Sequence, residues 1–401
     1  MISRVAVTGL GCVTALGGDV SATWAGLLAG RTARGPITAI PVGGCRVTEG
    51  AQADLTDWPG YTQRELGRFS RASRLALPAV REALAGAGLL DAEGRCVLDR
   101  LEMVVSTTAC GMEKGEGFLK SVWAGDFREQ PARVARYQAQ QQIAEIQRHF
   151  GFDGPATMIA NACAGGGNAI GHALDLLRAG EVGPVLAGGY EALCELVFTG
   201  FDSMQSLAPE ACRPFDVNRN GLMLGEGAAF LVLEREESAR SRGARVLGYV
   251  AGYGSTTDTG HLTQPAQDGG PLEQAVRTAL EQAGLSPSRV GYLNAHGTGT
   301  PLNDGAEAAV LARVFGGGPT RISSTKAALG HTLGAAGAIE AILALQALQT
   351  GCLPPQIHLQ TPEPVIADML AGMDEQVSIE AAMSVNLGFG GSNAALLFLR
   401  A

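Results

Sequence analysis

The strongest constraint on the fold is the alternation of short apolar segments with longer helical patterns along the 401 residues. The apolar segments are rich in Val, Ile and Ala, which is typical of strands that are buried in a sheet. The candidate strands are 4–9, 101–107, 157–160, 184–188, 228–233, 245–250, 290–294, 322–324 and 383–386, and the helical patterns are 73–84, 168–177, 271–283, 306–314 and 337–348. This order of elements predicts an α/β fold.

A strand, a turn of small residues and a Gly/Ala-rich helix occur together twice in the chain. The first copy is TMIANACAGGGNAIGHALDLLRAG (157–180) and the second is RISSTKAALGHTLGAAGAIEAILALQALQTG (321–351). Each copy has a reactive side chain near the start of its helix, Cys163 in the first and His331 in the second. The repeat indicates two related halves that face each other across one site, with a boundary near residue 250. Two unrelated strand–helix units are the alternative.

The composition excludes several classes of protein. Apolar residues make up 46% and charged residues 17% of the chain, which excludes an intrinsically disordered protein. The 56 glycines have no G-X-Y period, so they predict tight turns and close backbone approaches rather than a collagen helix. The net charge of -9 argues against nucleic acid and anionic membranes as partners, and an anionic partner needs a local basic patch.

The cysteines and the apolar stretches predict a soluble, cytoplasmic protein. The 8 cysteines are scattered without a C-x-x-C pair, which suggests neither a zinc site nor a disulfide framework. The longest apolar stretch, near 334–348, includes Glu340 and Gln346, so no membrane span is expected. The first residues, MISRVAVTGLGCVTALGGD, are interpreted as a strand and a loop rather than a signal peptide.

A glycine-containing turn after the first strand invites comparison with dinucleotide-binding proteins. In the fingerprint G-x-G-x-x-G the third glycine allows close helix packing, but Thr14 occupies that position after Gly9 and Gly11. The sequence also has no G-x-x-x-x-G-K-[ST] motif. We therefore expect no binding of NAD, FAD or ATP through these motifs.

Three residues form a candidate catalytic set. Cys163, in NACAGGGNAIGHA, precedes a helix whose first residues have almost no side chains, and unpaired N–H groups there stabilise a thiolate. His296 lies in NAHGTGTPLND and His331 in STKAALGHTLGAAG, each at a junction between a strand and a helix. A buried, inert cysteine and two structural histidines are the alternative, but the recurrence of one setting favours a site.

Five sequence blocks together resemble the β-ketoacyl-acyl-carrier-protein synthases of the thiolase-fold superfamily, in the branch that elongates chains with a Cys-His-His set. The blocks are NACAGGGNAIGHA, RPFDVNRNGLMLGEGAAFLVLE, NAHGTGTPLND, SSTKAALGHTLGAAG and NLGFGGSN, and they span nearly the whole chain in the family's order. The resemblance implies a thiolase-like fold of two related α/β halves, 1–250 and 251–401, with mixed five-stranded sheets in an αβαβα layering.

The resemblance also implies roles for the site residues. Cys163 would be the nucleophile that accepts the acyl group, and His296 and His331 would bind the carbonyl group of the malonyl thioester. Lys326 would support the same site, and Glu340 would be its buried structural partner.

Further positions follow from the same resemblance. Phe389 would be a gate whose backbone N–H forms the oxyanion hole with that of Cys163. Thr298 and Thr300 would contact the phosphopantetheine arm of a carrier protein. Met112 and Phe201 are expected in the acyl pocket. Arg64, Arg68, Arg71 and Arg74 form a basic cluster in one short helical stretch, and Arg68, Arg71 and Arg74 are expected to dock an acidic carrier protein; a solvated helix face is the alternative.

The implied reaction is a decarboxylative Claisen condensation. An acyl group moves onto Cys163, malonyl-acyl-carrier protein loses carbon dioxide, and the enolate attacks the acyl thioester to give β-ketoacyl-carrier protein. Because decarboxylation drives this step, the resemblance implies no metal, nucleotide or redox cofactor. The expected partners are acyl carrier protein and a second subunit, in a homodimer or in a heterodimer with a chain-length-factor-like protein.

Several positions depart from the common family pattern and concern the acyl pocket. Leu387 and Leu222 stand where Phe is frequent, Asn220 stands where an acidic residue is frequent, and three glycines occupy 165–167. Segments 107–118 and 189–207 look more like ketosynthases of type II polyketide or polyene pathways than like the housekeeping fatty-acid enzyme. The sequence leaves the choice between these pathways open.

Three other functions are alternatives to the condensing enzyme. A non-catalytic chain-length partner lacks the nucleophilic cysteine, which Cys163 argues against. A thiolase that uses coenzyme A employs a second cysteine late in the chain, whereas Cys352 lies outside any site-like block. A cysteine hydrolase would need a water-activating arrangement, and no motif distinguishes one here.

Overall fold

The secondary structure of the computed structural model follows the expected alternation of strands and helices. The structure describes residues 4–56, 62, 64, 67–128, 130–180 and 182–401. The strands are β1 (Val5–Thr14), β2 (Arg34–Pro36), β3 (Glu49–Ala51), β4 (Glu102–Ser106), β5 (Ala156–Ile159), β6 (Val185–Glu191), β7 (Gly227–Arg235), β8 (Gly248–Thr257), β9 (Val290–Asn294), β10 (Arg321–Ser323), β11 (Ala381–Gly388) and β12 (Ser392–Leu399). The α/β fold predicted from the sequence is confirmed.

The α-helices of the described residues lie between and after these strands. They are α1 (Val20–Leu28), α2 (Arg71–Gly86), α3 (Met112–Trp123), α4 (Gln130–Tyr137), α5 (Ala139–Phe150), α6 (Gly165–Ala179), α7 (Glu195–Ser203), α8 (Glu236–Ser241), α9 (Gly270–Ala283), α10 (Pro301–Phe315), α11 (Lys326–Leu329) and α12 (Ala336–Thr350).

The sheet consists of two arrays with the same strand order and the same directions. The first array is β1-β7-β6-β4-β5 and the second is β8-β12-β11-β9-β10. In each array the first two pairings are antiparallel and the last two are parallel. The arrays join where residues 5–7 of β1 pair with residues 248–250 of β8. Residue 250 lies inside β8, the first strand of the second array, while the division into domains 1–250 and 251–401 stays a prediction.

Helices α6 and α12 lie between the two arrays. Both helices contact strands of the first array and strands of the second, and they also contact each other. Helix α2 packs on the outer side of β1 and β7, and α9 packs on β8 and β12. The result is a helix–sheet–helix–sheet–helix arrangement, in which the two central helices are covered on both sides.

The central helices touch through their backbones near their N-terminal ends. A Cβ atom on Gly166 would lie 2.7 Å from the backbone nitrogen of Ala338, and Gly337 lies equally tightly against Gly167. Because side chains at these positions would separate the helices, glycine brings the two helix starts, and the residues just before them, close together.

One helical segment of the described residues is unusually long and apolar. Leu333–Thr350 could span a membrane by length and composition, but 83% of it is buried inside the protein. This burial identifies the segment as a core helix of the central layer.

The glycine motif after the first strand is not a turn. Gly9 and Gly11 lie within β1, which continues to Thr14, so the expected end of the strand near residue 9 was wrong. A Cβ atom on Gly11 would lie 2.7 Å from the backbone nitrogen of Ala83 and would overlap the carbonyl oxygen of Ala79. The glycines therefore allow α2 to pack directly on the backbone of β1.

This close packing predicts that Gly11→Ala destabilises the protein. The added methyl group must displace the backbone of α2, and overpacking of this kind typically lowers the free energy of unfolding by about 1–3 kcal/mol. Chemical denaturation monitored by circular dichroism measures the change. Gly18→Ala is the control, because no atom lies within 4 Å of a Cβ built there. Equal stability of the two variants would contradict the role assigned to Gly11.

Candidate active site

A cavity of about 580 Å³ opens where residues from both arrays meet. Cys163 and His331 lie in its wall together with His296, and loops from both halves form its mouth. Further residues that line the cavity are Phe201, Asn220, Leu222, Leu262, Thr298, Thr300, Leu387 and Phe389. The structure thus brings together residues that are distant in the sequence, such as Cys163 and Phe389, which are 226 positions apart.

Cys163 lies at the junction of β5 and the central helix α6. It occupies the 3-10 turn Ala162–Ala164, directly before Gly165, and is only 6% exposed. The preceding residue, Ala162, has a φ angle of 55°, a left-handed conformation that is unusual for a residue with a side chain. This turn holds the sulfur in the cavity wall at the N-terminal end of α6.

The thiol of Cys163 is protonated in the resting protein. Burial raises its pKa to about 12, although the charge of Lys326 and the backbone N–H of Phe389 both lower the pKa. The negative charges of Glu191 and Glu340 raise it further. The two groups that favour the thiolate thus come from the second half of the chain, and desolvation outweighs both of them.

The two histidines face the thiol from the second half of the chain. The Nε2 atom of His331 lies 3.1 Å from the Cys163 Sγ atom. The ring of His296 lies 5.3 Å from that of His331, at an angle of 83°. Burial, followed by the charge of Lys326, holds the pKa of each imidazole well below its usual range, so both rings are neutral at physiological pH.

A buried charge network lies behind the histidines. The Lys326 ammonium group is paired with Glu340, and both side chains are almost fully enclosed. The side-chain amide of Asn386 donates to the second carboxylate oxygen of Glu340. Burial raises the pKa of Glu340, and the Lys326 charge opposes this rise. Asn386 was not singled out from the sequence, although it opens the NLGFGGSN block.

The loop that carries His296 is held by two buried carboxylates. Glu307 accepts hydrogen bonds from the backbone N–H groups of His296 (2.7 Å) and Gly297 (2.8 Å). Asp304 accepts one from the N–H of Thr298 at 2.9 Å. Both carboxylates lie on α10, directly after the NAHGTGT motif. Their position next to this motif was the signal in the sequence that could have identified them, but neither was assigned a role from the sequence.

The two threonines of this loop line the cavity as one polar patch. The hydroxyl groups of Thr298 and Thr300 are 2.9 Å apart and hydrogen-bonded to each other. Both belong to the cavity lining. Their position suits contact with an extended polar arm that enters the cavity.

Phe389 lies at the mouth of the cavity and contacts Cys163 through its backbone. Its backbone N–H group lowers the pKa of the Cys163 thiol. Its ring is 40% exposed and stacks on Phe201, with 5.7 Å between the ring centroids. The adjacent Gly390 donates its N–H to the carbonyl oxygen of Leu262 at 2.7 Å, which ties the two mouth loops together.

Three of the remaining predicted residues lie elsewhere. Met112 begins α3 and is not part of the described cavity lining. Arg71 was expected to dock a carrier, but its guanidinium group pairs with the buried Glu226 and donates to the carbonyl oxygen of Ala53 at 2.9 Å. Arg74 donates to the carbonyl oxygen of Leu55 at 3.1 Å and is only half-exposed.

The basic cluster is therefore smaller at the surface than its sequence suggests. Arg71 stabilises a buried carboxylate, so it was wrongly assigned to docking. The exposed members are Arg64 and Arg68.

The chain matches two protein-family descriptions along most of its length. Residues 3–239 match the β-ketoacyl synthase N-terminal domain, and residues 247–360 match the β-ketoacyl synthase C-terminal domain. The chain belongs to the β-ketoacyl synthase family. This membership agrees with the pairing of a cysteine from the first half with histidines from the second.

Two curated relatives are similar over nearly their full length. Nodulation protein E of Rhizobium meliloti (strain 1021) is 35% identical over 403 residues, which cover 99% of each chain. The 3-oxoacyl-[acyl-carrier-protein] synthase 2 of Staphylococcus aureus (strain COL) is 35% identical over 406 residues, which cover 98% of each chain.

Solved structures of ketosynthases have the same fold. The ishigamide ketosynthase/chain length factor superposes with a TM-score of 0.91 at 32% identity, covering 100% of both chains. AntDE:AntF, a type II PKS acyl-carrier protein in complex with its ketosynthase bound to the hexaketide, gives a TM-score of 0.87 at 26% identity, again over 100% of both chains. The thiolase-like architecture predicted from the sequence is confirmed.

The raised pKa of Cys163 predicts the pH dependence of its alkylation. Because only the thiolate reacts, the rate with iodoacetamide rises about tenfold per pH unit between about pH 7 and pH 10, without a plateau. Mass spectrometry of the peptide that contains Cys163 follows the reaction separately from the other cysteines. A plateau below pH 8 would mean that the thiolate is already formed, contrary to the effect of burial.

Proposed function

We propose that this protein condenses an acyl group, held as a thioester on Cys163, with the malonyl group of malonyl-acyl-carrier protein. The products are β-ketoacyl-carrier protein and carbon dioxide. The observation that carries the proposal is the 3.1 Å contact between the Cys163 Sγ and His331 Nε2 atoms, with His296 beside them in the cavity wall. A nucleophile and two neutral imidazoles at one point provide the groups that acyl transfer and enolate stabilisation require.

The first half-reaction loads the enzyme with the acyl group. The Cys163 sulfur attacks the carbonyl carbon of the acyl-carrier thioester, and its proton leaves through the Nε2 atom of His331. The backbone N–H groups of Cys163 and Phe389 bind the oxyanion. The carbon–sulfur bond to the carrier then breaks, and the proton ends on the thiol of the released arm.

The second half-reaction forms the new carbon–carbon bond. The malonyl thioester oxygen accepts hydrogen bonds from His296 and His331, and the bond to the carboxylate breaks as carbon dioxide leaves. The enolate carbon attacks the carbonyl carbon of the acyl group on Cys163, the carbon–sulfur bond breaks, and the sulfur takes up a proton that comes from solvent. The positive charge of Lys326 favours the enolate, because it acts from a buried position with little solvent screening.

The proposed reaction uses no metal, nucleotide or redox cofactor. The loss of carbon dioxide supplies the driving force, and the negative charge that develops is matched by imidazole and backbone N–H groups. Among the described residues that line the cavity, Cys163 is the only cysteine, which favours this reaction over a thiolase reaction that uses two.

We also propose acyl carrier protein and a second ketosynthase-type subunit as partners. The AntDE:AntF complex contains a carrier protein with its ketosynthase, and the ishigamide protein is a ketosynthase/chain length factor. In such a pair this chain is the catalytic subunit, because it has Cys163 and both histidines. Arg64 and Arg68 are the exposed cations of the proposed docking patch, and the cytoplasmic location stays a prediction.

The biosynthetic pathway is the most specific part of the proposal. We infer elongation in a type II polyketide or polyene pathway rather than in housekeeping fatty-acid synthesis. Leu222, Leu387 and Asn220, which depart from the common pattern, all line the cavity, so the departures change the wall that meets the acyl chain.

Loading of Cys163 tests the nucleophile. Incubation with a panel of acyl-carrier thioesters should give an acyl adduct on the wild type, measured by intact-protein mass, and no adduct on Cys163→Ala. That variant should lose condensation but keep some malonyl decarboxylation, because both histidines remain. A Cys163→Ala protein that still elongates an acyl chain would refute the assignment.

Removal of the second catalytic group tests the histidine role. His331→Ala should lower the rate of malonyl decarboxylation by about 100- to 1,000-fold, the typical cost of one lost oxyanion donor. The release of labelled carbon dioxide from malonyl-acyl-carrier protein measures this rate, with Cys163→Ala as the control that retains both imidazoles. Unchanged release from His331→Ala would overturn the proposed role.

A further inference from the structure

A buried carboxylate outside the catalytic set connects the two halves beside the active site. Glu191 is the last residue of β6 and is 1% exposed. It is not among the residues that line the cavity, and the reaction proposed above does not use it. Its surroundings nevertheless include the backbone of the segment that carries His331.

Glu191 accepts hydrogen bonds from four groups in two distant segments. Three are the backbone N–H groups of Thr108 (2.7 Å), Ala109 (2.8 Å) and Gly334 (2.9 Å). The fourth is the hydroxyl group of Thr107, at 3.3 Å. Because all four partners are donors, an ionised carboxylate satisfies every contact, whereas an amide cannot.

The segments that share Glu191 touch backbone to backbone. A Cβ atom on Gly334 would lie 2.7 Å from the nitrogen of Thr108, and one on Gly189 would lie 2.7 Å from the carbonyl oxygen of Gly334. The end of β4, the end of β6 and the start of the second central helix therefore meet without intervening side chains. The carboxylate of Glu191 is the acceptor that these three N–H groups share.

Gly334 is close to the catalytic histidine in sequence and to the nucleophile in space. It lies three residues after His331, in the 3-10 turn Leu333–Ala335, and Leu333 has a φ angle of 47°. This turn packs against the turn Ala162–Ala164, which carries Cys163. A shift of Gly334 away from Glu191 would therefore strain the two-residue link to His331, whose backbone is also hydrogen-bonded to Met223 and Gly225.

We propose that Glu191 is a positioning residue that sets the distance between His331 and Cys163 by fixing Gly334 on the 107–109 segment. The proposal rests on the proposed function, since it concerns the geometry of the same reaction. The 107–109 segment continues through Cys110 to Met112, so the same carboxylate also anchors the start of α3.

The test compares Glu191→Gln with Glu82→Gln in the full-length protein. Glu191→Gln retains the size of the side chain, but its NH₂ group takes the position of one carboxylate oxygen. It then faces either the N–H of Ala109 or those of Thr108 and Gly334, and it displaces the backbone that carries them. Glu82 on α2 is the matched control, because it accepts only backbone N–H groups, from Cys12 (2.9 Å) and Val20 (3.0 Å), away from the cavity. Melting temperature, condensation kinetics and malonyl decarboxylation are measured for both.

We expect Glu191→Gln to lower kcat for condensation by about 100-fold, the typical effect of an error of about 1 Å in the position of a catalytic group. KM for both carrier substrates should change by less than about twofold, because their binding surfaces are intact. Decarboxylation should fall in parallel with kcat. Glu82→Gln should retain wild-type kinetics, even if its melting temperature falls by the same amount.

Each outcome decides the question. A Glu191→Gln protein with the kcat of Glu82→Gln would overturn the proposal, and so would a rise in KM with unchanged kcat. If Glu191→Gln does not fold, Glu191→Asp keeps the charge on a shorter side chain and should show the same loss of kcat at unchanged KM; wild-type kcat in that variant would overturn it. A wild-type protein that neither releases carbon dioxide nor condenses would instead refute the proposed function.

Discussion

The close approach of the two central helices is the constraint on which the active site depends. Each helix begins with residues that have little or no side chain, at 165–167 in the first and 336–338 in the second. Their backbones meet at Gly166 and Gly337. Because both helix starts lie at this contact, the residues just before them, Cys163 and His331, come within hydrogen-bonding distance. Larger side chains at the contact would separate the nucleophile from its histidine.

Burial then determines the protonation states at this point. The same desolvation that keeps both imidazoles neutral also keeps the Cys163 thiol protonated. The buried cation at the site is Lys326, whose charge is paired with that of Glu340, and the Asn386 amide donates to the same carboxylate. The carboxylates that fix the surrounding loops, Asp304, Glu307 and Glu191, accept hydrogen bonds from backbone N–H groups. Burial raises the pKa of all three carboxylates, that of Glu307 to about 8, and the groups that face the substrate are neutral imidazole and backbone N–H donors.

The sequence predicted most of the sheet and the reactive residues, for physical reasons. Buried strands and the central helices are nearly continuous apolar runs, so their periodicity is visible without knowledge of their neighbours. Strand β12 was missed because Ser392 and Asn393 follow a glycine pair and mask its start. Helix α3 was missed because Gly115 and Gly117 interrupt MEKGEGFLKSVW and none of its residues is buried.

Contacts between segments that are distant in the sequence could not be predicted from a single sequence. The GLG segment resembled a turn because the sequence does not show that α2 packs against it. Arg71 resembled a surface cation because Glu226 is 155 positions away. The anchoring role of Glu191 was missed for the same reason, because its hydrogen-bond partners lie in distant segments, at 107–109 and at Gly334.

The identical strand order of the two arrays has a consequence for how activity arises. Each half presents the start of its central helix to the same point, but the first supplies sulfur and the second supplies imidazole. Neither half alone contains a reactive pair. A chain in which only one half has folded therefore cannot complete a condensation, because the sulfur that accepts the acyl group and the imidazoles that bind the malonyl thioester come from different halves.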